Sequence, residues 1–300
     1  MRVAVSIDAI LAAGCDSVTY GDNIPDNTEA ILIGKIGRDC NNGRAKHWLA
    51  QINELKKREA KLIIDFTDNL LDYETNMTDF YKTAIRSADA LTASSKHLAS
   101  VLYNHSLAPV TVIAEPIEFL PLKVRPTMQK LPSLLWFGHA SNSKYFLDFI
   151  QMHRVLLGKS KILALSNPEG LELIRRSDLN NQLNLHLVSW SIDEMIKAAQ
   201  LVDMCVIPSD INDPRKAGAS ANRLITSLAL GLPTAANLVD SYRPFSEYFV
   251  DIQSPTLPEM LDNPRAFLAK TLKAQDELIP LFTVEAIRRQ WTTFLNTPDV

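Results

Sequence analysis

In the first third of the chain, short apolar runs alternate with segments whose apolar residues recur every three or four positions. The runs predict β-strands and the periodic segments predict α-helices. The predicted strands are Arg2–Ile7, Ala30–Ile36, Lys61–Phe66, Ala90–Ala93 and Val110–Ala114, and the predicted helices are Ala45–Ala60, Met77–Ala88 and Ser95–Tyr103. Strands that alternate with helices indicate a parallel sheet with right-handed crossover connections.

The alternation stops in a proline-rich stretch, at Pro116, Pro121, Pro126 and Pro132. Proline can neither continue a helix nor donate to a central sheet ladder. We interpret this stretch as a linker, with residues 1–122 as a first Rossmann-like domain of reduced size. Residues 123–300 then form a second such domain, and we expect the last helix to pack back onto the first.

After the linker the same alternation resumes. The strand segments are SLLWFG, KILALS, LNLHLVSW, MCVIPS and PTAAN, with helices predicted at Tyr145–Leu157, Ile192–Leu201 and Ser220–Leu230. The fold class is therefore α/β, with two Rossmann-like domains expected to face a cleft. Ligands of open parallel sheets bind at the carboxyl ends of the strands, so we expect the site there.

Composition narrows the functional classes. A hydrophobic fraction of 46% and a charged fraction of 22% are those of a globular protein, and the net charge of −3 disfavours nucleic acid as a partner. Cys15, Cys40 and Cys205 lack metal-ligand or redox spacing, which favours a reducing compartment. Asp8 interrupts the apolar N-terminus, and no apolar run is long enough to span a bilayer. We expect a cytoplasmic protein that contacts the inner face of a membrane, if at all, through its substrate.

Three segments of the second half carry a family resemblance: LLWFGHASNSKY, LHLVSWSIDEMIKAAQLVDMCVIPSD and ASANRLITSLALGLPTAAN. Their order resembles the donor-binding domain of GT-B glycosyltransferases related to families 1 and 4. In the first half, SADALTASSKHLASVLYNHSLAPVTVIAEPIEF is similar to the segment that closes the N-terminal domain of that fold. The resemblance spans Lys61 to Phe249. It implies a GT-B fold and transfer of a sugar from a nucleotide-sugar donor to a glycan or lipid-linked acceptor, as in polysaccharide biosynthesis.

The segment DPRKAGASANRL has the residue types that a departing diphosphate requires. An enzyme without a metal ion stabilises the growing negative charge with cations and helix N-terminal amides. Lys216 and Arg223 supply the cations, Ser220 is predicted to cap the helix, and Asn222 and Thr226 lie on that helix. The alternative is an ordinary capped helix with solvated charges. No cofactor and no bound metal are expected, because Asp210–Asp213 only loosely matches a D-x-D metal motif.

Two further regions complete the predicted donor site. Gly138 permits a tight turn after a strand, in a loop that the family places at the donor phosphates, and the end of the LNLHLVSW strand lies where the family contacts the base. Such a loop also occurs without a ligand, and a tryptophan at a strand end is as often a core residue. The remaining predicted donor-binding residues are Gly138, His139, Asn142, Trp190, Ser191 and Ser209.

The sequence departs from the family in one respect that bears on mechanism. Retaining family-4 enzymes carry an E-x7-E motif, and Gly218 and Thr226 stand at the two glutamate positions. The loss of both favours a distant, inverting branch. An inverting transfer needs a general base near the acceptor hydroxyl. The candidates are Asp68 and Asp65 at the end of the strand IIDF, with the alternative that they cap the following turn.

Two other functions stay open at this point. A catalytically degenerate glycosyltransferase-like domain would bind a glycan or a partner without turnover. A nucleotide-sugar epimerase would use a related double Rossmann fold and need no acceptor site.

Overall fold

The computed structural model describes residues 2–15, 17–21, 23–36, 43–72, 74, 77–125, 132–213 and 220–297. The described residues divide into two compact units. The first unit contains residues 2–116, Ser220 and residues 283–297, and the second contains residues 117–213 and 221–282. None of the helices in these ranges is both long and apolar enough to cross a bilayer.

The first unit is built on a four-stranded parallel sheet in the order β1-β2-β3-β4. Strand β2 is buried along nearly its whole length, because helices shield it and its apolar run KLIIDF has no solvated face. The elements, in chain order, are α1 (Arg2–Ala12), β1 (Ala30–Ile33), α2 (Arg44–Lys56), β2 (Lys61–Phe66), α3 (Thr78–Ala84), β3 (Ala90–Ala93), α4 (Lys96–Tyr103) and β4 (Val110–Val112).

The N-terminal segment is a helix, so the predicted strand Arg2–Ile7 is wrong. Val5 and Ala9 lie one helical turn apart and are both buried in a cluster with Ile287 and Trp291 near the C-terminus. The letters RVAVSI fit a period of two as well as a period of 3.6. Packing against the C-terminal helix, nearly 300 residues away in sequence, stabilises the helical conformation of the N-terminal segment. A local sequence pattern contains no information about that contact.

The second unit contains a six-stranded parallel sheet in the order β10-β9-β8-β5-β6-β7. Its elements are β5 (Leu134–Phe137), α5 (Ser143–Met152), α6 (Arg154–Leu157), β6 (Lys161–Ser166), α7 (Pro168–Arg175), β7 (Asn184–Ser189), α8 (Ile192–Ala199), β8 (Met204–Ile207), α9 (Asn222–Ala229), β9 (Thr234–Ala236), β10 (Val250–Asp251), α10 (Leu257–Asp262) and α11 (Leu268–Glu277). The final helix, α12 (Val284–Leu295), belongs to the first unit.

When β5 to β10 are numbered 1 to 6 and the sheet is read from β7, the strand order is 3-2-1-4-5-6. This is the order of a doubly wound Rossmann sheet. From β5 the chain first adds β6 and β7 on one side, and then returns to add β8 on the other side. The position between β5 and β8 is therefore the topological switch point. Two hydrophobic clusters cover the two faces of the sheet. Trp136 of β5, for example, stacks on Phe146 of α5 with ring centroids 4.5 Å apart. The predicted α/β class with parallel Rossmann-like sheets is confirmed.

The proline-rich linker follows the surface of the second unit as far as residue 125, and residues 126–131 lie outside the described ranges. Leu122 donates its amide hydrogen to the Ala229 carbonyl at 2.8 Å and accepts from Gln275 Nε2 at 2.7 Å. Gly231 has a φ of 75°, and a Cβ there would lie 3.0 Å from the Leu122 carbonyl oxygen. A glycine at the end of α9 therefore allows the linker to lie directly against the turn.

Candidate functional site

The loops after β5, β6, β8 and β9 bring polar residues together at the carboxyl edge of the second sheet. Ser209 follows β8, and its amide donates to Asn237 Oδ1, which follows β9, at 2.8 Å. Gly138 follows β5, and its carbonyl accepts from Ser166 Oγ at the end of β6 at 2.6 Å. Gly138 and Ser209 thus lie after the two strands that flank the switch point, where doubly wound folds bind their ligands.

The GHASN loop is held by hydrogen bonds within the protein. Gly138 donates its amide hydrogen to the Leu165 carbonyl at 3.0 Å, and Ala140 donates to Asn167 Oδ1 at 2.8 Å. The Ser141 amide is bound to His139 Nδ1 at 3.3 Å and the Asn142 amide to the His139 carbonyl at 2.8 Å. Because these four amides already have acceptors, the loop would bind a donor through side chains such as the exposed His139 imidazole.

Helix α7 packs against the GHASN loop. This helix was not predicted from the sequence. A Cβ at Gly170 would overlap the Ser166 hydroxyl and lie 3.1 Å from Ala140 Cα. Only a glycine permits so close an approach of the helix to the loop. Asn167, one residue before α7, accepts from both the Ala140 amide and the Ser166 hydroxyl. The segment SNPEG, which follows an apolar run, would have indicated the helix, because proline is favoured at the first helical position.

Arg223 is a cation at this edge. Its Nη2 donates to Ser209 Oγ at 3.2 Å, whereas its buried Nη1 has no hydrogen-bond partner. Within the described ranges no carboxylate forms an ion pair with this guanidinium. A buried donor without an acceptor is costly, and more so when it is charged. Arg223 Nη1 is therefore a buried charged donor that could accept an anionic partner.

The start of α9 adds to the same positive potential. Ala221 occupies the N-cap position and offers no side-chain hydrogen bond to the helix, whose N-terminus carries a partial positive charge. The prediction that Ser220 caps this helix is wrong, because Ala221 is the N-cap residue. Asn222 and Thr226 lie one turn apart on α9, and the Thr226 hydroxyl donates to Asn222 Oδ1 at 3.3 Å.

Two buried titratable groups lie beside Arg223. Burial raises the pKa of the Cys205 thiol far above its usual range, with the Arg223 charge opposing the shift only in part. Burial likewise raises the pKa of the Tyr242 phenol, which also interacts with the Arg223 side chain. Both groups are thus neutral at physiological pH, so neither neutralises the charge of Arg223. The neutral Cys205 thiol is also a poor nucleophile.

The remaining predicted donor residues have different roles in the structure. Trp190 is 47% exposed at the end of β7, so it is a surface residue and not a core residue. Ser191 is the N-cap of α8, where its hydroxyl accepts from the Glu194 amide at 3.1 Å. Asn142 is buried beside Gly138. Lys216, the other predicted cation, lies outside the described residues, as does Gly218.

In the first unit, the two predicted base candidates are both paired with cations. Asp65 is buried and accepts from Arg2 Nε at 2.7 Å, from Arg2 Nη2 at 2.6 Å and from Thr92 Oγ1 at 2.5 Å. Asp68, whose side chain is 40% exposed, accepts from Lys35 Nζ at 2.5 Å. Both carboxylate oxygens of Asp65 accept hydrogen bonds from the Arg2 guanidinium inside the protein. Asp68 could exchange its exposed partner at little cost.

A third carboxyl group lies near these two, and the sequence analysis did not single it out. Burial raises the pKa of Glu115, and the charges of Asp68 and Asp65 raise it further, against a hydrogen bond from Ser220 and the charge of Arg2. Glu115 is part of the segment VIAEP, which follows β4. The signal that would have pointed to it is a lone acid in an apolar run at the end of a parallel strand.

The fold of this chain is similar to that of several solved structures. TarM superposes with a TM-score of 0.64 at 10% identity, over 89% of this chain and 55% of its own. The lipopolysaccharide outer core galactosyltransferase WaaB superposes with a TM-score of 0.53 at 10% identity, over 99% of this chain and 80% of its own. The pneumococcal O-GlcNAc transferase GtfA, in complex with UDP and GlcNAc, gives 0.53 at 14% identity, over 82% and 54%.

The likeness is one of fold. No protein-family model matches the sequence, and a comparison with curated proteins finds no match. The chain spans about half the length of TarM and of GtfA. The two parallel Rossmann-like sheets and the similarity to these enzymes show that the chain has the GT-B fold of glycosyltransferases.

Proposed function

We propose that the chain is a metal-independent glycosyltransferase that binds a nucleotide-sugar donor at the carboxyl edge of its second sheet. The observation that carries this proposal is the Arg223 guanidinium, whose buried Nη1 has no acceptor. It lies in the first turn of α9, whose N-cap residue, Ala221, offers no side-chain acceptor. A diphosphate supplies what both features lack, since its oxygens accept from a guanidinium and from helix N-terminal amides.

Two of the similar structures support a nucleoside diphosphate as the ligand class. TarM from S. aureus has been solved in a complex that includes UDP, with a TM-score of 0.58 to this chain, and pneumococcal GtfA has been solved with UDP and GlcNAc. In our proposal Lys216 is the second cation, and Ser209, Ser220, Asn222 and Thr226 are further polar residues around the donor. His139, Trp190 and Ser191 lie near the sugar and base. The acceptor is a glycan or a lipid-linked glycan.

The proposed chemistry needs no metal ion, because cationic side chains stabilise the departing diphosphate. Arg223 takes up negative charge on the phosphate oxygens as the glycosidic bond breaks. Release of nucleoside diphosphate from a nucleotide sugar should then persist in EDTA. A complete loss of release that Mn²⁺ or Mg²⁺ restores would contradict this part of the proposal.

The experiment that tests donor binding compares variants of Arg223 with a matched arginine. Thermal shift and calorimetry with UDP, GDP and ADP identify which nucleotide binds the full chain. Arg223→Ala should weaken that binding about 10- to 150-fold, equivalent to about 1.5–3 kcal/mol for a lost charge-assisted hydrogen bond. Arg223→Lys should restore binding only in part, because a lysine lacks the planar fork. Lys216→Ala should also weaken binding.

Arg243→Ala is the control, since Arg243 lies in the same unit but is exposed and paired with Asp240 at 2.8 Å. It should bind the nucleotide as the parent does. Equal affinity of the parent, Arg223→Ala and Arg243→Ala for the nucleotide would remove the basis of the proposed donor site.

A further inference from the structure

The loops that follow β8 and β9 hold the Arg223 guanidinium through a chain of hydrogen bonds within the second unit. Nη2 of Arg223 donates to Ser209 Oγ at 3.2 Å. Ser209 is held in turn, because its amide donates to Asn237 Oδ1 at 2.8 Å. Asn237 is the first residue after β9 and is only 8% exposed. The position of the cation therefore depends on a buried amide side chain that does not contact it.

The backbone of Asn237 is fixed on both sides. Before it, β9 is buried at all three positions and pairs with β8, with Ala236 beside Ile207. After it, the Asn237 carbonyl accepts from the Val239 amide at 2.8 Å, and the Val239 carbonyl accepts from the Tyr242 amide at 2.9 Å. Asn237 thus lies between a buried strand and a hydrogen-bonded turn, and its side chain is a fixed acceptor for the Ser209 amide.

The same turn brings a second polar side chain to Arg223. The Tyr242 ring is buried and packs edge to face on Phe249, with centroids 6.3 Å apart. Burial raises the pKa of the Tyr242 phenol, and the charge of Arg223 and a hydrogen bond with its side chain oppose that rise. The guanidinium is therefore contacted by Ser209 from the loop after β8 and by Tyr242 from the loop after β9. Its buried Nη1 still lacks a partner.

A purely structural link between the two loops would not end on a cation. The Asn237–Ser209 hydrogen bond already joins them, and an apolar side chain at position 223 would leave no buried charged donor unpaired. An arginine that is fixed before its ligand arrives has a different advantage. Ordering one long flexible side chain on binding weakens an affinity about 2- to 12-fold, and a preorganised side chain avoids that loss.

We propose that Asn237 is a positioning residue for the donor: through Ser209 it holds the Arg223 guanidinium in the orientation that binds the diphosphate. The inference rests on the proposed donor site and adds to it a residue that contacts neither the nucleotide nor the sugar. Asn237 acts on the affinity for the diphosphate only while Arg223 is present. That dependence separates positioning from a general contribution to the fold.

The test is a double-mutant cycle of Asn237→Ala and Arg223→Ala in the full chain. The readout is the calorimetric affinity for whichever of UDP, GDP and ADP binds the parent. Asn237→Ala alone should weaken that affinity about 3- to 10-fold, because Arg223 must then be ordered on binding. In the Arg223→Ala background the same substitution should cause no further loss, since no guanidinium is left to position.

Variants of Ser209 test the middle of the chain and remain informative if Asn237→Ala does not fold. Ser209 is only partly buried, and Ser209→Ala removes the acceptor of Nη2. It should weaken nucleotide binding as Asn237→Ala does, and again only while Arg223 is present. Ser209→Thr keeps the hydroxyl and should restore most of the affinity.

Asp203→Asn is the control for a general loss of stability. Asp203 is buried in the same unit and accepts from the Ser133 amide and hydroxyl, each at 2.8 Å. Because it precedes β8, it lies at the amino edge of the sheet, away from the donor site. The variant should lower Tm and leave nucleotide affinity unchanged.

The outcomes separate the positioning role from the donor site. Parental affinity in Asn237→Ala and Ser209→Ala, together with a loss in Arg223→Ala, would overturn the positioning role and leave the donor site standing. Losses that add in full in the combined variants would also overturn it, because Asn237 and Ser209 would then act independently of Arg223. If Arg223→Ala bound the nucleotide as the parent does, or no nucleotide bound the parent, the donor site itself would fail.

Discussion

Arg2 and Asp65 form a bidentate ion pair in the interior of the first unit. Nε donates to Oδ2 at 2.7 Å and Nη2 to Oδ1 at 2.6 Å, with both side chains only 9% exposed. The Arg2 guanidinium also lies 5.6 Å from the ring centroid of Trp291 in α12. A single side chain on α1 thus contacts β2, the backbone after β4 and the final helix. The pair attaches the N-terminal helix to the sheet.

Removal of one partner of this pair should be strongly destabilising. Arg2→Ala leaves the buried Asp65 carboxylate without its cation, and such a change costs about 3–5 kcal/mol. The measurement is the free energy of unfolding in urea. Lys144→Ala, which removes the cation of the exposed Lys144–Asp148 pair, is the control and should leave the urea midpoint unchanged. Equal midpoints for the two variants would show that the Arg2–Asp65 pair is dispensable.

The close approach of α7 to the GHASN loop leads to a second prediction. Gly170→Ala places a Cβ against the Ser166 hydroxyl and 3.1 Å from Ala140 Cα, so the helix or the loop must move. We expect a loss of about 1–3 kcal/mol in the free energy of unfolding, as for other overpacked cores. Nucleotide affinity should fall as well, because Ala140 lies in the loop predicted to contact the donor.

Gly158→Ala serves as the matched control for Gly170→Ala. Its added Cβ would be 3.4 Å from the nearest backbone oxygen and can be accommodated by a small shift. It should change neither stability nor nucleotide affinity by a measurable amount. If Gly170→Ala behaved like Gly158→Ala, the contact between α7 and the loop would have no role in shaping the site.

Local pattern predicted most of the fold. The strands Lys61–Phe66 and Ala90–Ala93 are confirmed to the residue, because fully buried apolar runs leave little ambiguity about a parallel strand. The N-terminal helix was missed because RVAVSI fits two periods, and its partner Trp291 is remote in sequence. The prediction also missed α7, which begins with a proline directly after Asn167.

The candidate site was predicted less completely, for a physical reason. The residue types around Arg223 were recognisable, since a cation in the first turn of a helix is a local feature. The partners of hydrogen bonds are not local. That the Ala140 amide donates to Asn167 and the Gly138 amide to the Leu165 carbonyl follows only from the tertiary structure. Asp65 was selected for its place at a strand end, but the bidentate contact from Arg2 could not be inferred while residues 2–7 were assigned to a strand.

The pH dependence of stability should carry a contribution from Asp89 opposite in sign to that of Glu115. Asp89 accepts from Lys56 Nζ at 2.6 Å and from the Leu62 amide at 2.6 Å. Burial acts to raise the pKa of Asp89, but these hydrogen bonds, together with the charges of Lys56 and Lys61, lower it below the ordinary value of 3.8. The stabilisation is therefore present above the unfolded pKa and is lost as pH falls through the folded pKa.

Asp89→Asn should accordingly destabilise the protein at pH 7 by about 1–3 kcal/mol, the usual cost of losing a charged hydrogen-bond partner. The difference from the parent should narrow below about pH 4, where the unfolded chain no longer gains from ionisation. Urea unfolding at pH 7 and at pH 3.5 measures both values, with the exposed Asp26→Asn as control. A difference that stays constant between the two pH values would mean that Asp89 acts through its shape and not through its charge.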